Sequence, residues 1–206
     1  MNTTAQLKLI TKTHYNKIAE NYNNSYQGKF TINMYDEIIH RILQANPKNM
    51  LDVGCGNGNI LRIINKMLNT NLYGIDISEN MIVESKKVLG TSVNLTVGDA
   101  ESLPYDDEQF NVVLCNASFY HFPNPDIALQ EIYRVLKKDG ILILGDSTGP
   151  FDLCTKIINK LLKNTKLGHY RFYNKKKITS LMESAGFTID DYLKTSSTFF
   201  ALNAIK

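Results

Sequence analysis

The sequence predicts an α/β fold, a doubly wound and mostly parallel sheet with helices ahead of it. Three observations predict this class. From residue 48 onward apolar runs of strand length alternate with segments of helical period. "FNVVLCN" (110–116) is apolar almost throughout, as a strand covered on both faces must be. And "NMLDVGCGNG" (49–58) is a short strand that ends in an acid and turns through three glycines into a helix.

The elements follow in order. Tyr15, Ile18, Ala19 and Tyr22 fall at i, i+3, i+4 and i+7, and Tyr35, Ile38, Ile39, Ile42 and Leu43 repeat that spacing. Two helices are expected there, separated by "NNSYQGK" as a loop. "NMLDV" is the first strand, and Ile60, Leu61, Ile63, Ile64, Met67 and Leu68 form the stripe of the next helix. "NLYGID" is the second strand; Ser78 caps the helix of "SENMIVESKKVL". "SVNLTV" and "FNVVLCN" are the third and fourth strands. "PDIALQEIYRVL" is a helix stopped by "KKDG", and "GILILGD" is the fifth strand. Beyond Asp146 come a basic amphipathic helix ("FDLCTKIINKLLK"), an aromatic loop ("GHYRFYNK") and a helix ending at Gly186. "FTIDDYLKT" and "STFFALNAI" then form a closing hairpin, which brings the expected sheet to seven strands.

At 206 residues, 43% hydrophobic and 21% charged, the chain fits one globular domain. Its parts are a helical cap (1–46), a core (47–146), and a segment with the closing strands (147–206). A net charge of +3 does not point to nucleic acid. Cys55, Cys115 and Cys154 are scattered, which suggests neither a disulfide framework nor a metal site. No signal peptide or membrane-spanning run is evident, so a cytoplasmic protein is expected.

In an open parallel sheet, ligands bind at the carboxyl ends of the strands. The loop at 52–58 lacks the Lys-Ser/Thr of a P-loop. Its glycines, 54, 56 and 58, miss the G-x-G-x-x-G spacing of a dinucleotide fold. Asp52 would repel a pyrophosphate but accept hydrogen bonds from an ammonium. Asp76, ending the second strand, suits two ribose hydroxyls. Asp99, after the third, suits an adenine amino group, with the Ala100 amide donating to a ring nitrogen. Amino-acid, ribose and adenine sites in a row describe S-adenosylmethionine (SAM).

Four blocks carry a family resemblance: "LDVGCGNG" (51–58), "GIDIS" with Met81 (74–81), "GDAESLPYDDEQFNVVLCN" (98–116) and "FYHFPNPDIALQEIYRVLKKDGIL" (119–142). The chain resembles the class I SAM-dependent methyltransferases, in particular the ubiquinone/menaquinone-biosynthesis (type 11) group. The resemblance implies the Rossmann-like methyltransferase fold, with SAM as cofactor and S-adenosylhomocysteine (SAH) as product. It implies Asp52, Gly54, Cys55, Gly56 and Gly58 around the methionine moiety, and Asp76, Ile77 and Met81 at the ribose. Asp99, Ala100 and Glu101 would meet adenine, and Asn116 would lie near the amino-acid group. "HYNKIAENYNN" looks like the family's cap helix, with Tyr15 and Tyr22 facing the cofactor.

The acceptor is expected to be a small molecule, methylated by in-line displacement in a partly aromatic pocket. His121 is the candidate base; the same position also suits a histidine that packs or merely contacts substrate. His14 is a second candidate. Phe119, Tyr120, Phe122, Phe151, Tyr170, Phe172 and Tyr173 are expected on the acceptor side or in the cap's core. No Asn/Asp-Pro-Pro-aromatic motif follows the fourth strand, and no Pro-Cys pair exists, which argues against nucleobase methylation. Cys115 reads as a small core residue. The lysines from Lys156 to Lys177 read first as a solvated face, with an anionic acceptor or a membrane surface as the alternative. RNA methylation and a non-catalytic SAM/SAH-binding regulator are the competing functions.

Overall fold

The structure is a computed structural model and describes residues 2–149, 151–162 and 171–206. Three helices lead: α1 (Thr4–Ile18), α2 (Tyr26–Thr31) and α3 (Tyr35–Ala45). Strands and helices then alternate: β1 (Asn49–Val53), α4 (Asn59–Met67), β2 (Asn71–Asp76), α5 (Glu79–Leu89), β3 (Asn94–Val97), β4 (Phe110–Asn116), α6 (Pro125–Val135) and β5 (Leu136–Ser147). Helices α7 (Asp152–Leu162) and α8 (Lys175–Ser184) precede β6 (Thr188–Leu193) and β7 (Phe199–Ile205).

The sheet has seven strands in the order β3-β2-β1-β4-β5-β7-β6. The first five run parallel, while β7 is antiparallel to both β5 and β6. The order therefore reverses between β1 and β4, where their carboxyl ends splay to leave a crevice. Apolar side chains cover both faces. Phe110, Phe119, Ile132, Tyr173, Met182 and Phe187 pack on one side. Ile38, Ile42, Ile60, Leu61, Ile64 and Ile82 pack on the other. Each such burial is worth about 1.5–3 kcal/mol, so the strands form a rigid floor.

Three expectations change. "NNSYQGK" is not a loop: a 3-10 turn (Ala19–Asn24) runs into Ser25, whose hydroxyl accepts from the Gly28 amide at 3.1 Å and N-caps α2. Tyr22 therefore sits on that turn, not on α1. "KKDG" does not separate helix from strand, because β5 begins at Leu136. A register shift against β4 absorbs the extra residues, and Asp139 turns through φ +60°. The third strand is shorter than read, starting at Asn94. α8 stops as expected at Gly186 (φ +98°), where the Phe187 amide caps the Met182 carbonyl at 3.1 Å. The aromatic loop's residues 168–170, with Tyr170, lie outside the described residues.

Candidate active site

The crevice at the β1/β4 switch is a cleft lined from above by Lys8, Thr11 and Tyr15 of α1. The glycine loop shapes one wall. Gly54 (φ +79°) lies so close to Ser118 that a Cβ there would stand 2.4 Å from the Ser118 Cβ. Ser118 in turn donates its hydroxyl to the Val53 carbonyl at 2.7 Å, pinning β1 to the turn after β4. Four of the loop's amides are spent within the protein, three of them on the end of β2. Gly54 and Cys55 donate to the Ile75 carbonyl at 2.8 and 3.1 Å, Gly56 to Asp76 Oδ2 at 2.8 Å, and Gly58 to the Cys55 carbonyl at 3.0 Å. Donors spent in this way cannot cradle a pyrophosphate.

The acids stand along the floor. Asp52 is 3% exposed, and burial, with Asp76 nearby, pushes its carboxyl up to about 8. No hydrogen-bond donor offsets that burial among the described residues. The Asp76 carboxylate accepts from the Gly56 and Ser78 amides, both at 2.8 Å. Burial raises it to about 6, and those two bonds hold it from going higher. Asn116 ends β4 with its Oδ1 buried and without a partner. An uncapped carboxyl and an orphaned amide oxygen at adjacent strand ends are acceptors waiting for a polyvalent donor. An ammonium is such a donor.

After β3, Asp99 and Glu101 both bind Lys8 Nζ of α1, each at 2.6 Å. Glu101 also accepts from the Asn124 amide and side chain, both at 2.9 Å. α1 is tied further along. Lys12 pairs with Glu79, and Asn16 Oδ1 accepts from the Ser78 hydroxyl at 2.6 Å. Tyr15 and His121 meet at 2.7 Å, hydroxyl to Nε2, with the rings edge to face.

His121 closes a 3-10 turn (Phe119–His121) and is 7% exposed. Asp146, fully buried at the end of β5, accepts from the Tyr120 amide at 2.9 Å and from the Ser147 amide at 2.6 Å. Burial raises its carboxyl well above the usual range. Its bond to the Tyr120 amide anchors the turn that carries His121.

Tyr15, Tyr22, Asp52, Gly54, Cys55, Gly56, Asp76, Ile77, Met81, Asp99, Ala100, Glu101, Asn116 and His121 all line the cleft. Gly58 does not. It turns into α4 behind the loop (φ +78°), where a Cβ would meet the Ser85 hydroxyl at 2.3 Å. His14 also stays outside, its Nε2 3.1 Å from Gln27 Nε2. Of the expected aromatics, Phe122 lines the cleft, Phe119, Tyr120 and Tyr173 are buried, and Phe151 is exposed. Cys115 is fully buried within β4 as expected. Lys8, Thr11, Thr31, Tyr35 and Asn59 line the cleft and escaped the sequence reading. Lys8, Thr11 and Tyr15 form a stripe on α1 that periodicity could have flagged. Among the described residues no group of three or more His, Cys, Asp or Glu could hold a metal ion.

Comparison with known proteins decides the family. A methyltransferase domain model matches residues 51–144, from the end of β1 to β5. The chain belongs to the class I SAM-dependent methyltransferases. Within them it is of the ubiquinone/menaquinone-like type. It is 30% identical to a demethylmenaquinone methyltransferase of Lactobacillus johnsonii over 155 residues, covering 72% of this chain and 59% of that protein. It is 34% identical to an uncharacterized protein of Methanocaldococcus jannaschii over 136 residues, covering 66% and 51%. The chain thus spans about half to three-fifths of the length of these curated relatives. The fold matches Burkholderia thailandensis 1,6-didemethyltoxoflavin-N1-methyltransferase, solved with 1,6-didemethyltoxoflavin and SAH bound. That match has a TM-score of 0.77 at 14% identity and covers 100% of this methyltransferase chain and 91% of the other.

Proposed function

We propose that this methyltransferase chain transfers a methyl group from SAM to a small-molecule acceptor. The observation that carries the reading is the unmet demand at the switch point. Asp52, raised by burial with no donor to offset it, stands beside Asn116 with its oxygen unpartnered, and both line a cleft whose loop amides are already spent. SAM supplies an electrophilic methyl on sulfonium sulfur and brings the ammonium that such acceptors need.

The chain's own residues divide the remaining work. Asp52 and Asn116 hold the amino-acid end, and Asp76 the ribose hydroxyls with the lone pairs its two amide bonds leave free. Asp99, Ala100 and Glu101 receive the adenine, with Lys8 holding both acids in place. Phe122 and Pro123 wall the acceptor side and exclude water. His121 takes the acceptor's proton at Nε2, and Tyr15 is the group through which, or past which, that proton must travel. The enzyme acts as a cytoplasmic catalyst in this reading, and 1–206 behaves as one domain.

Titration calorimetry with SAH and with NAD tests the binding half: SAH is expected to bind and NAD to leave its isotherm unchanged. NAD competing with SAH overturns the reading. Incubating the protein with methyl-labelled SAM and a metabolite extract tests the transfer. Label in a small molecule supports it, whereas label recovered only in RNA or nowhere contradicts it.

A further inference from the structure

Helix α7 is built inside out. Its most buried described side chain is polar: Thr155, 4% exposed, accepts from the Gly149 amide at 3.1 Å. The half-buried Asn159, next to the half-buried Ile158, bonds both the amide and the carbonyl of Phe172, at 2.7 and 2.8 Å. Its outward stripe at i, i+3, i+4 and i+7 reads Leu153, Lys156, Ile157, Lys160. Leu153 is 68% exposed, Ile157 51%, and Phe151 just ahead of the helix 73%. A helix that faced only water would show the opposite arrangement.

Charge is sorted onto the same part of the chain. Residues 153–182 contain eight Lys and Arg and no Asp or Glu, leaving 15 basic against 20 acidic side chains, net −5, elsewhere. Lys156, Lys160, Arg171, Lys175, Lys176 and Lys177 are all exposed. Large apolar side chains set between lysines, in a stretch from Leu153 to Met182 free of carboxylates though flanked by Asp152 and Glu183, match a surface that is negative outside and apolar just beneath.

We propose that the outer face of α7, with Phe151, docks on an anionic lipid bilayer. Lysines alone would fit RNA as well, but Phe151, Leu153 and Ile157 have nothing to bury against a phosphate backbone; the bilayer uses both halves of the pattern. The face is also coupled to the site. Asn159 grips Phe172, and the neighbouring Arg171 amide donates to the Tyr120 carbonyl at 2.9 Å, one residue from His121.

The test is co-sedimentation of the full chain with vesicles of phosphatidylcholine alone or with 30 mol% phosphatidylglycerol (about one lipid in three). Partitioning is expected only with the anionic lipid, and 0.5 M salt (on the order of 3–5 times physiological) should weaken it. The pair Leu153→Asp, Ile157→Asp should lower it by roughly tenfold or more, and so should Lys156→Glu, Lys160→Glu, on the order of one kcal/mol per charge or apolar anchor. All four positions are exposed, so melting and SAH binding should be unchanged in both variants. Absence of vesicle binding by the wild type overturns the proposal. So do binding that survives the Asp pair, and binding to RNA that the Asp pair leaves intact while vesicles fail to compete.

Discussion

The floor of the cleft and its lid are built on different physics. The floor consists of strand ends fixed by a parallel ladder and by loop amides that bond to the end of β2. The lid is α1, whose one buried residue among those described is Thr11. It is held across the cleft by Lys8 on Asp99 and Glu101, by Lys12 on Glu79, by Asn16 on Ser78 and by Tyr15 on His121. α3, by contrast, buries Ile38 and Ile42 in the core. Apolar burial resists local opening, whereas partly exposed polar pairs are worth little each and are weakened by salt. The cleft thus pairs a floor held by apolar burial with a lid held by polar ties, which on the proposed reading lets α1 lift to admit SAM.

The sharpest test of that division is His121, which the lid touches but the floor carries. His121→Ala should lower kcat by about 10²–10⁴ while SAH affinity barely changes. The wild-type rate should rise with pH as the imidazole loses its proton, and the alanine variant should lack that limb. A full pH–rate profile in the variant removes His121 from the chemistry.

On the floor, Asp76→Ala should weaken SAH binding by about 1–3 kcal/mol, roughly five- to 150-fold by calorimetry. The loss includes the acceptors of the Gly56 and Ser78 amides. Unchanged affinity in a folded variant would refute the ribose assignment.

These floor positions were legible because each polar side chain stands at or one residue before the end of a strand whose apolar run is unmistakable: Asp52, Asp76 and Asn116 in β1, β2 and β4. The lid was not. Lys8 reaches Asp99 and Glu101 from more than 90 residues away, and no local pattern announces such a pair. The short helix α2 was missed although its cap, Ser25, stood in the sequence, because Asn, Ser and Gly signal turn and cap alike. Phe119, Tyr120 and Tyr173 suited either pocket or core, and the structure buries all three. An aromatic after a strand serves either purpose, and only packing decides. "KKDG" carries real turn chemistry, which the fold spends on a bulge at the start of β5 rather than on a loop.

The pH dependence of the ligand-free protein probes the floor from another side. Asp52 sits at about 8 when folded against an ordinary value of 3.8, so between those values the folded chain holds a proton that the unfolded chain has lost. Stability should therefore fall as pH rises from about 4 to 8 and level off beyond. The melting temperature should drop over that range, by about 2–4 °C for each kcal/mol lost. Asp52→Asn should flatten part of the drop, and SAH, through its ammonium, should offset it in the wild type. A wild-type melting temperature that rises across this window contradicts the burial of an unpaired carboxyl.

The smallest effect belongs to the lid itself. Lys8→Ala should speed hydrogen exchange in α1 by roughly two- to fivefold or more, the worth of part-buried ion pairs, and high salt should act in the same direction on the wild type. Exchange in α3 and α4 should not respond. A uniform change across all three helices would mean that α1 opens only with the whole domain.

Asp146 gives this arrangement a consequence for how the enzyme can diversify. Its buried carboxylate ties the His121 turn to the end of β5, and β5 pairs with β7 up to Ser147 and Phe199. The turn that carries His121 is therefore tied to the same sheet as Asp52 and Asn116, while α1 reaches it through Tyr15. Substitutions along α1 that spare Lys8, Lys12, Tyr15 and Asn16 should leave its ties to the floor and to His121 intact, whereas changes at those four should disturb both. On the proposed reading, the positions of this 15-residue helix that make no ties are where access to the cleft can change while the sheet stays as it stands.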